Sequence, residues 1–355
     1  MSATTIDEDR VAEFQGLAVA EAAAAESAAC CYLGDVLGLY EAMAGAGPLT
    51  SAGLAERTGT HERYVREWLA NQASGGYVTY HPTDGTFELP AEHAAVLADP
   101  DSPAYIPGVY GVIAAAWASV DRAVEAFRSG EGIGWHEHDP RLFRGVERIF
   151  APLYRHQLVQ DWIPALDGVH ERLTAGARVA DVGCGHGAST IVLAEAYPAS
   201  RFTGFDYHPE SIAAASKAAA EAGVGDRVGF EVVPADSVPG AGYDLVCFFD
   251  CLHDMGDPVA AAARAREALT DDGTLLVVEP QASDHLADNL NPISRLFYAG
   301  SVFLCTPNSL SQDGAVGLGA QAGPTRLREA LTDAGFTHHR VATETPFNLV
   351  IEARP

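Results

Sequence analysis

The stretch Arg178-Val-Ala-Asp-Val-Gly-Cys-Gly-His-Gly187 decides how the chain is read. A short apolar, β-branched run, Arg178–Val182, reads as a buried strand delivered into glycines at 183, 185 and 187. Glycine lets the backbone turn sharply and approach a ligand closely. The residues from Ala188 to Tyr197 read as a helix. Strand, glycine loop and helix in this order open a Rossmann-like α/β unit. A dinucleotide fingerprint would run Gly-x-Gly-x-x-Gly. Here the third glycine falls one place early, at Gly187, behind His186, and the loop has no basic residue to meet a pyrophosphate.

Working outward, the same texture repeats downstream. Arg201-Phe-Thr-Gly-Phe-Asp206 reads as a second strand whose final acid suits a ribose diol. Val228–Val233 reads as a third, followed by Ala235-Asp236-Ser237, where a carboxylate suits an adenine amino group. Tyr243–Asp250 is a fourth strand running into Cys251-Leu-His-Asp-Met255, and Thr270–Glu279 a turn and fifth strand. Apolar runs alternating with helical patterns indicate a parallel sheet, whose ligands bind beyond the carboxyl ends of the strands. Acidic residues at these ends suit a ligand with positive charge better than one with phosphates. A closing hairpin is expected from His338–Ala342 and Phe347–Ala353.

Upstream the texture changes. Asp35–Ala44 has apolar residues at helical spacing and stops at Gly45 and Gly47-Pro48. Thr50 or Ser51 can cap a short helix to Arg57, and a longer helix, Glu62–Ala73, places Tyr64, Val65, Trp68 and Leu69 on its inner face. Tyr77–Tyr80 and Thr86–Leu89 read as a hairpin around Pro82-Thr-Asp-Gly85. Helices followed by a hairpin make a winged-helix order. The charges between Thr50 and Tyr80 cancel, whereas a DNA reader needs a basic face. Packing or subunit pairing is therefore expected of this region.

Composition narrows the classes. The 355 residues suggest about two domains, and 48% hydrophobic residues provide a full core. The net charge of −26 disfavours nucleic acid and anionic membranes as partners. Lys217 is the sole lysine, to which no function attaches. Leu17–Cys31 is apolar but interrupted by Glu21 and Glu26, and no secretory signal is visible, so a cytoplasmic location is expected. The six cysteines, Cys30, Cys31, Cys184, Cys247, Cys251 and Cys305, match no zinc pattern and read as reduced thiols.

Taken together, Asp181–Gly187, Asp206, Asp236-Ser237 and Tyr243–Asp254 resemble the successive motifs of class I S-adenosylmethionine-dependent methyltransferases. The likeness covers about Arg178 to Pro355. With the upstream winged helix and Leu252-His253-Asp254, the chain looks like a bacterial subfamily of the small-molecule O-methyltransferase group. The resemblance implies an α/β fold: a seven-stranded Rossmann-like sheet with an N-terminal helical, winged-helix domain. It implies dimerisation through residues 1–100, a helical linker and lid over 101–170, and cofactor binding by 171–355. S-adenosylmethionine is the expected cofactor. Its expected contacts are Asp181, Gly183, Cys184, Gly185, Gly187, Asp206, Tyr207, Asp236, Ser237, Phe249 and Asp250, with Tyr154 reaching over from the preceding helix.

In the resembling enzymes the histidine at the position of His253 removes the acceptor's hydroxyl proton, with Asp254 beside it. Histidine suits this work near neutral pH. Met255 departs from the tryptophan that many of them carry. His253 and Asp254 are the catalytic candidates, with helix capping as the plainer alternative. His186 reads as a loop filler or cofactor contact, His208 as exposed near the adenosine, and His338-His339 as surface residues. Gly134-Trp135-His136-Glu137-His138 suggests a lid or substrate wall, with a metal site as the weaker reading. An iron site from His253, Asp254 and His285 is a weaker alternative still, since two histidines and one carboxylate can form a facial triad. Trp135, His136, His138, Tyr298 and Phe303, with Trp117, outline an aromatic or hydrophobic small-molecule pocket. Two rival functions remain open: a cofactor-binding transcriptional regulator, and a non-methylating enzyme that uses the bound sulfonium.

Overall fold

The computed structural model describes residues 6–355, which fall into two compact units divided between Ala114 and Ala115. The N-terminal unit starts with one helix, Glu8–Val36, longer than its interrupted apolar pattern suggested. The carboxylate of Asp7 caps it by accepting the N–H groups of Asp9 and Arg10. By length and composition alone this helix reaches what a membrane span needs, although Glu21 and Glu26 sit within it. Val11, Phe14, Leu17 and Val19 are exposed along it.

The expected helix over Asp35–Ala44 is divided. Gly38, with φ of 66°, breaks the chain between the long helix and a short one, Leu39–Met43. The helix Ser51–Thr58 is capped by Thr50, and Glu62–Ser74 follows. Val65, Trp68, Leu69 and Gln72 are buried at i, i+3, i+4 and i+7. Tyr64 is not on that inner face: it is 80% exposed, because one residue of helix turns its side chain about 100° away from the stripe. Strands β1 (Thr79–His81) and β2 (Thr86–Glu88) pair antiparallel to complete the winged-helix order.

The second unit is built on a seven-stranded sheet. Its strands are β3 (Arg178–Val182), β4 (Arg201–Asp206), β5 (Val228–Val232), β6 (Tyr243–Phe249), β7 (Leu269–Pro280), β8 (His338–Glu344) and β9 (Asn348–Arg354). Their spatial order is β5-β4-β3-β6-β7-β9-β8. Strands β3 to β7 are parallel, and β9 inserts antiparallel between β7 and β8. The winding reverses direction between β3 and β6, and a crevice opens at the carboxyl ends of strands where such a reversal occurs.

Side chains alternate across the central strands. Val246 and Phe248 of β6, with Leu275 and Val277 of β7, join one buried cluster. Leu245, Cys247, Leu276 and Val278 join another, with Trp162, Leu173, Leu193 and Phe202. Both faces of the sheet are therefore dry, which explains why these strands read as continuous apolar runs. Leu276→Ala removes a wholly buried side chain from the centre of the sheet. It should lower unfolding free energy by about 2–5 kcal/mol, read as a shift in the midpoint of chemical denaturation.

Candidate functional site

The loop after β3 is shaped by its glycines. Gly183, Gly185 and Gly187 all have positive φ, of 74°, 52° and 78°. At Gly187 a Cβ would also sit 2.7 Å from the Phe230 ring, so a side chain is excluded by space as well as conformation. The loop borders a cavity of about 700 Å³. Gly183, Cys184, Gly185, Asp206, Tyr207, Asp236, Ser237, Phe249, Asp250 and Tyr154 all line it. Gly187 and Asp181 lie just behind, completing the loop rather than the wall.

Carboxylates dominate the chemistry. Asp206 accepts the Gly185 N–H on Oδ2 and the His208 N–H on Oδ1, each at 2.9 Å. Asp181 accepts the hydroxyls of Ser189 and Thr190 on Oδ2, each at 2.6 Å. Burial pushes its carboxyl up to about 6 against those hydrogen bonds, and the Asp206 charge adds to the rise. Burial likewise raises Asp250 well above the usual carboxylate range, with Glu279 as a second, like-charged neighbour. Asp254 also lines the cavity, and burial pushes it up to about 7. Asp250 holds φ of 49°, strained for a residue with a side chain, while its Oδ1 accepts from Asn348 at 2.8 Å.

Two oxygens, Asp181 Oδ1 and Asp250 Oδ2, are buried and have no hydrogen-bond partner among the described residues. No Lys or Arg lines the cavity there. Buried acids without a counter-charge are costly. A ligand with an ammonium and a sulfonium therefore fits this donor set, and one with phosphates does not.

Glu147 and Phe143, on the helix Arg141–Leu153, also face the cavity. Glu147 meets His186 Nδ1 at 2.8 Å. Phe143 stacks on His208 with ring centroids 4.8 Å apart. His208 is buried, not exposed as expected, because this stacking and a 2.8 Å hydrogen bond to Ser211 hold it inward. Tyr154 is buried where that helix widens into a π-helical stretch, Tyr154–Trp162, and its ring packs against Phe249. Trp135 and His136 line the cavity, and the Trp135 N–H donates to Asn308 at 3.0 Å.

Three expected substrate residues do not line the cavity. His138 is buried against Ser119, while Tyr298 and Phe303 are only partly buried in the segment after β7. Trp117 is 64% exposed. Among the described residues no group of three His, Cys, Asp or Glu side chains is placed to hold a metal ion.

His253 is buried beyond β6, and its Nδ1 bonds Glu279, at the end of β7. The other oxygen of Glu279 accepts the Leu252 N–H at 3.0 Å, so the carboxylate is fixed before it fixes the ring. Nε2 meets Cys305 Sγ at 3.3 Å. Burial works against protonation of the imidazole, but Glu279 and Cys305 outweigh it and raise its pKa well above the usual histidine value. Sequence reasoning missed Glu279, Glu147, Phe143 and Asn348. For Glu279 a signal existed: an acid closing the wholly apolar run Leu275–Val278 must find a buried partner.

Comparison with known proteins agrees with this geometry. Residues 173–308 match the methyltransferase domain family, and residues 25–99 match the Rv2258c-like winged HTH domain. Mitomycin biosynthesis 6-O-methyltransferase of Streptomyces lavendulae is 27% identical over 267 residues, covering 71% of this chain and 72% of that protein. The structure of mitomycin 7-O-methyltransferase MmcR superposes with a TM-score of 0.72 at 22% identity, covering 98% of this chain and 100% of that one. Human N-acetylserotonin methyltransferase, in complex with SAM, gives 0.70 at 19% identity, covering 100% and 99%. With its glycine loop, its acids at the strand ends and its sheet order, the chain carries a methyltransferase domain in the fold of the class I S-adenosylmethionine-dependent enzymes, behind an N-terminal winged-helix domain.

Proposed function

We propose that the enzyme methylates a hydroxyl group of a small aromatic or hydrophobic metabolite, with His253 as the general base. The observation that carries this reading is the anchored imidazole behind the cavity wall: a buried carboxylate fixes its Nδ1, so Nε2, which also meets Cys305, is the end that would exchange a proton. The O-methyltransferase names of two relatives point the same way. Trp135 and His136 would flank the acceptor, and His138, Tyr298 and Phe303 would act through packing. The cavity has seven carboxylate-bearing residues (Glu147, Asp206, Asp236, Asp250, Asp254, Asp257 and Asp313) and no Lys or Arg on its wall. An acceptor bearing a carboxylate or phosphate would be repelled there.

When bound, S-adenosylmethionine supplies an electrophilic methyl group on a sulfonium. The glycine loop would let its main chain come close, Asp206 would hold the ribose, and Asp236 and Ser237 the adenine edge. Asp181 and Asp250 would answer its positive charges. Tyr154 and Phe249 would exclude water, and much of the acceleration would come from alignment.

The N-terminal unit would pair two copies of the chain. Val11, Phe14, Leu17 and Val19, exposed along one long helix, provide the apolar surface a second copy would cover. A regulator remains the rival reading, carried by the winged helix alone. Salt-sensitive DNA binding would favour it.

Calorimetric titration should show binding of S-adenosylmethionine and of its demethylated product, weakened at least ~10-fold in Asp206→Ala, which loses charge-assisted hydrogen bonds. Absence of binding to folded, ligand-free wild type would reject the reading. His253→Ala should keep that affinity and lose about 10²–10⁴ in kcat. A raised imidazole pKa means that the base is protonated at rest, so kcat/KM should climb with pH, with a midpoint above 6.5, the ordinary histidine value. Glu279→Gln removes the anion that holds the proton. It should move this limb to lower pH and lower the plateau, since the ring loses its orientation. An unmoved limb would exclude His253 as the titrating group.

A further inference from the structure

We infer that Cys305 is a reactive thiol, activated by His253 and Glu279, and a modification site for soft carbon electrophiles. Its sulfur lies 3.3 Å from Nε2 of His253, whose Nδ1 is bonded to the buried Glu279. Nucleophile, imidazole and orienting carboxylate thus stand in a row, the arrangement that activates cysteine in thiol enzymes. The ring faces Glu279 through Nδ1 and the sulfur through Nε2, so both of its nitrogens are engaged.

The other cysteines lack this arrangement. Cys31, Cys184 and Cys247 are buried. Cys251 points its thiol at the Val182 carbonyl, and burial raises its pKa far above the ordinary thiol value. Cys30 is partly exposed, as Cys305 is, but burial and its neighbours Cys31 and Glu26 raise its pKa. It provides the internal comparison.

With iodoacetamide the step balances simply. The Cys305 sulfur attacks the methylene carbon, a C–S bond forms, the C–I bond breaks, iodide leaves, and the thiol proton is lost by way of Nε2 to solvent. The thioether then stands where Nε2 would meet an acceptor. Loss of methyl transfer on labelling is a consequence that rests on His253 being the base; the reactivity itself does not.

The experiment is timed carbamidomethylation of the full chain at neutral pH, followed by peptide mass spectrometry. Cys305 should label at least ~10 times faster than Cys30. The advantage should disappear in His253→Gln and shrink in Glu279→Gln, with thermal melting confirming that each variant is folded. Labelling of Cys305 no faster than Cys30, or at an unchanged rate in either folded variant, would overturn the inference. Labelled enzyme should still bind S-adenosylmethionine but lose turnover, and the turnover of Cys305→Ala, whatever its level, should be the same with and without the reagent. Fast labelling with turnover intact would keep the reactive thiol and overturn the base assignment instead.

Discussion

Everything in the second unit depends on gathering acids at the carboxyl ends of parallel strands with no lysine or arginine on the cavity wall to answer them. Asp181, Asp206, Asp250 and Asp254 all have raised pKa values, and burial is the first cause in each case. Backbone amides, hydroxyls and one amide side chain offset part of that cost at Asp206, Asp181 and Asp250. Two oxygens still lack a hydrogen-bond partner among the described residues. A site of this kind is unfavourable in isolation and becomes favourable when a cation enters, so cofactor affinity and stored electrostatic cost share one origin.

The same constraint organises the surroundings of His253. Glu279 and His253 are each too polar to be buried alone, yet each satisfies the other. The carboxylate is pinned by the Leu252 N–H, so the loop after β6 and the end of β7 act as a single rigid part. The orientation of the His253 ring is therefore set by two strands that are neighbours in the sheet but separated in sequence.

Most of the second unit was legible because its signals are local. A glycine loop after an apolar strand and acids at strand ends can be read within about ten residues, and the structure places Asp206, Asp236 and Asp250 on one cavity wall. What escaped was nonlocal. Glu279 meets His253 across 26 positions, and Asn348 reaches Asp250 across 98. Periodicity cannot show such pairs. Tyr64 failed for the opposite reason: a helical stripe is narrower than a list of apolar neighbours, and one residue's rotation leaves the face. Tyr298 and Phe303, after β7, stay off the cavity wall because an aromatic side chain marks what a segment is made of and not which way it faces.

The insertion of β9 between β7 and β8 has a consequence for the order of assembly. Asn348, the first residue of β9, completes the hydrogen bonding of Asp250 beside the cavity. Every other residue named on that wall precedes it in the chain. During synthesis the glycine loop and its acids emerge early, but the site is not finished until β9 has threaded into the sheet against β7. Ligand binding can therefore reward only a chain made through β9, and a shorter ribosome-bound intermediate would carry the acid-rich crevice without the amide that steadies its strained centre.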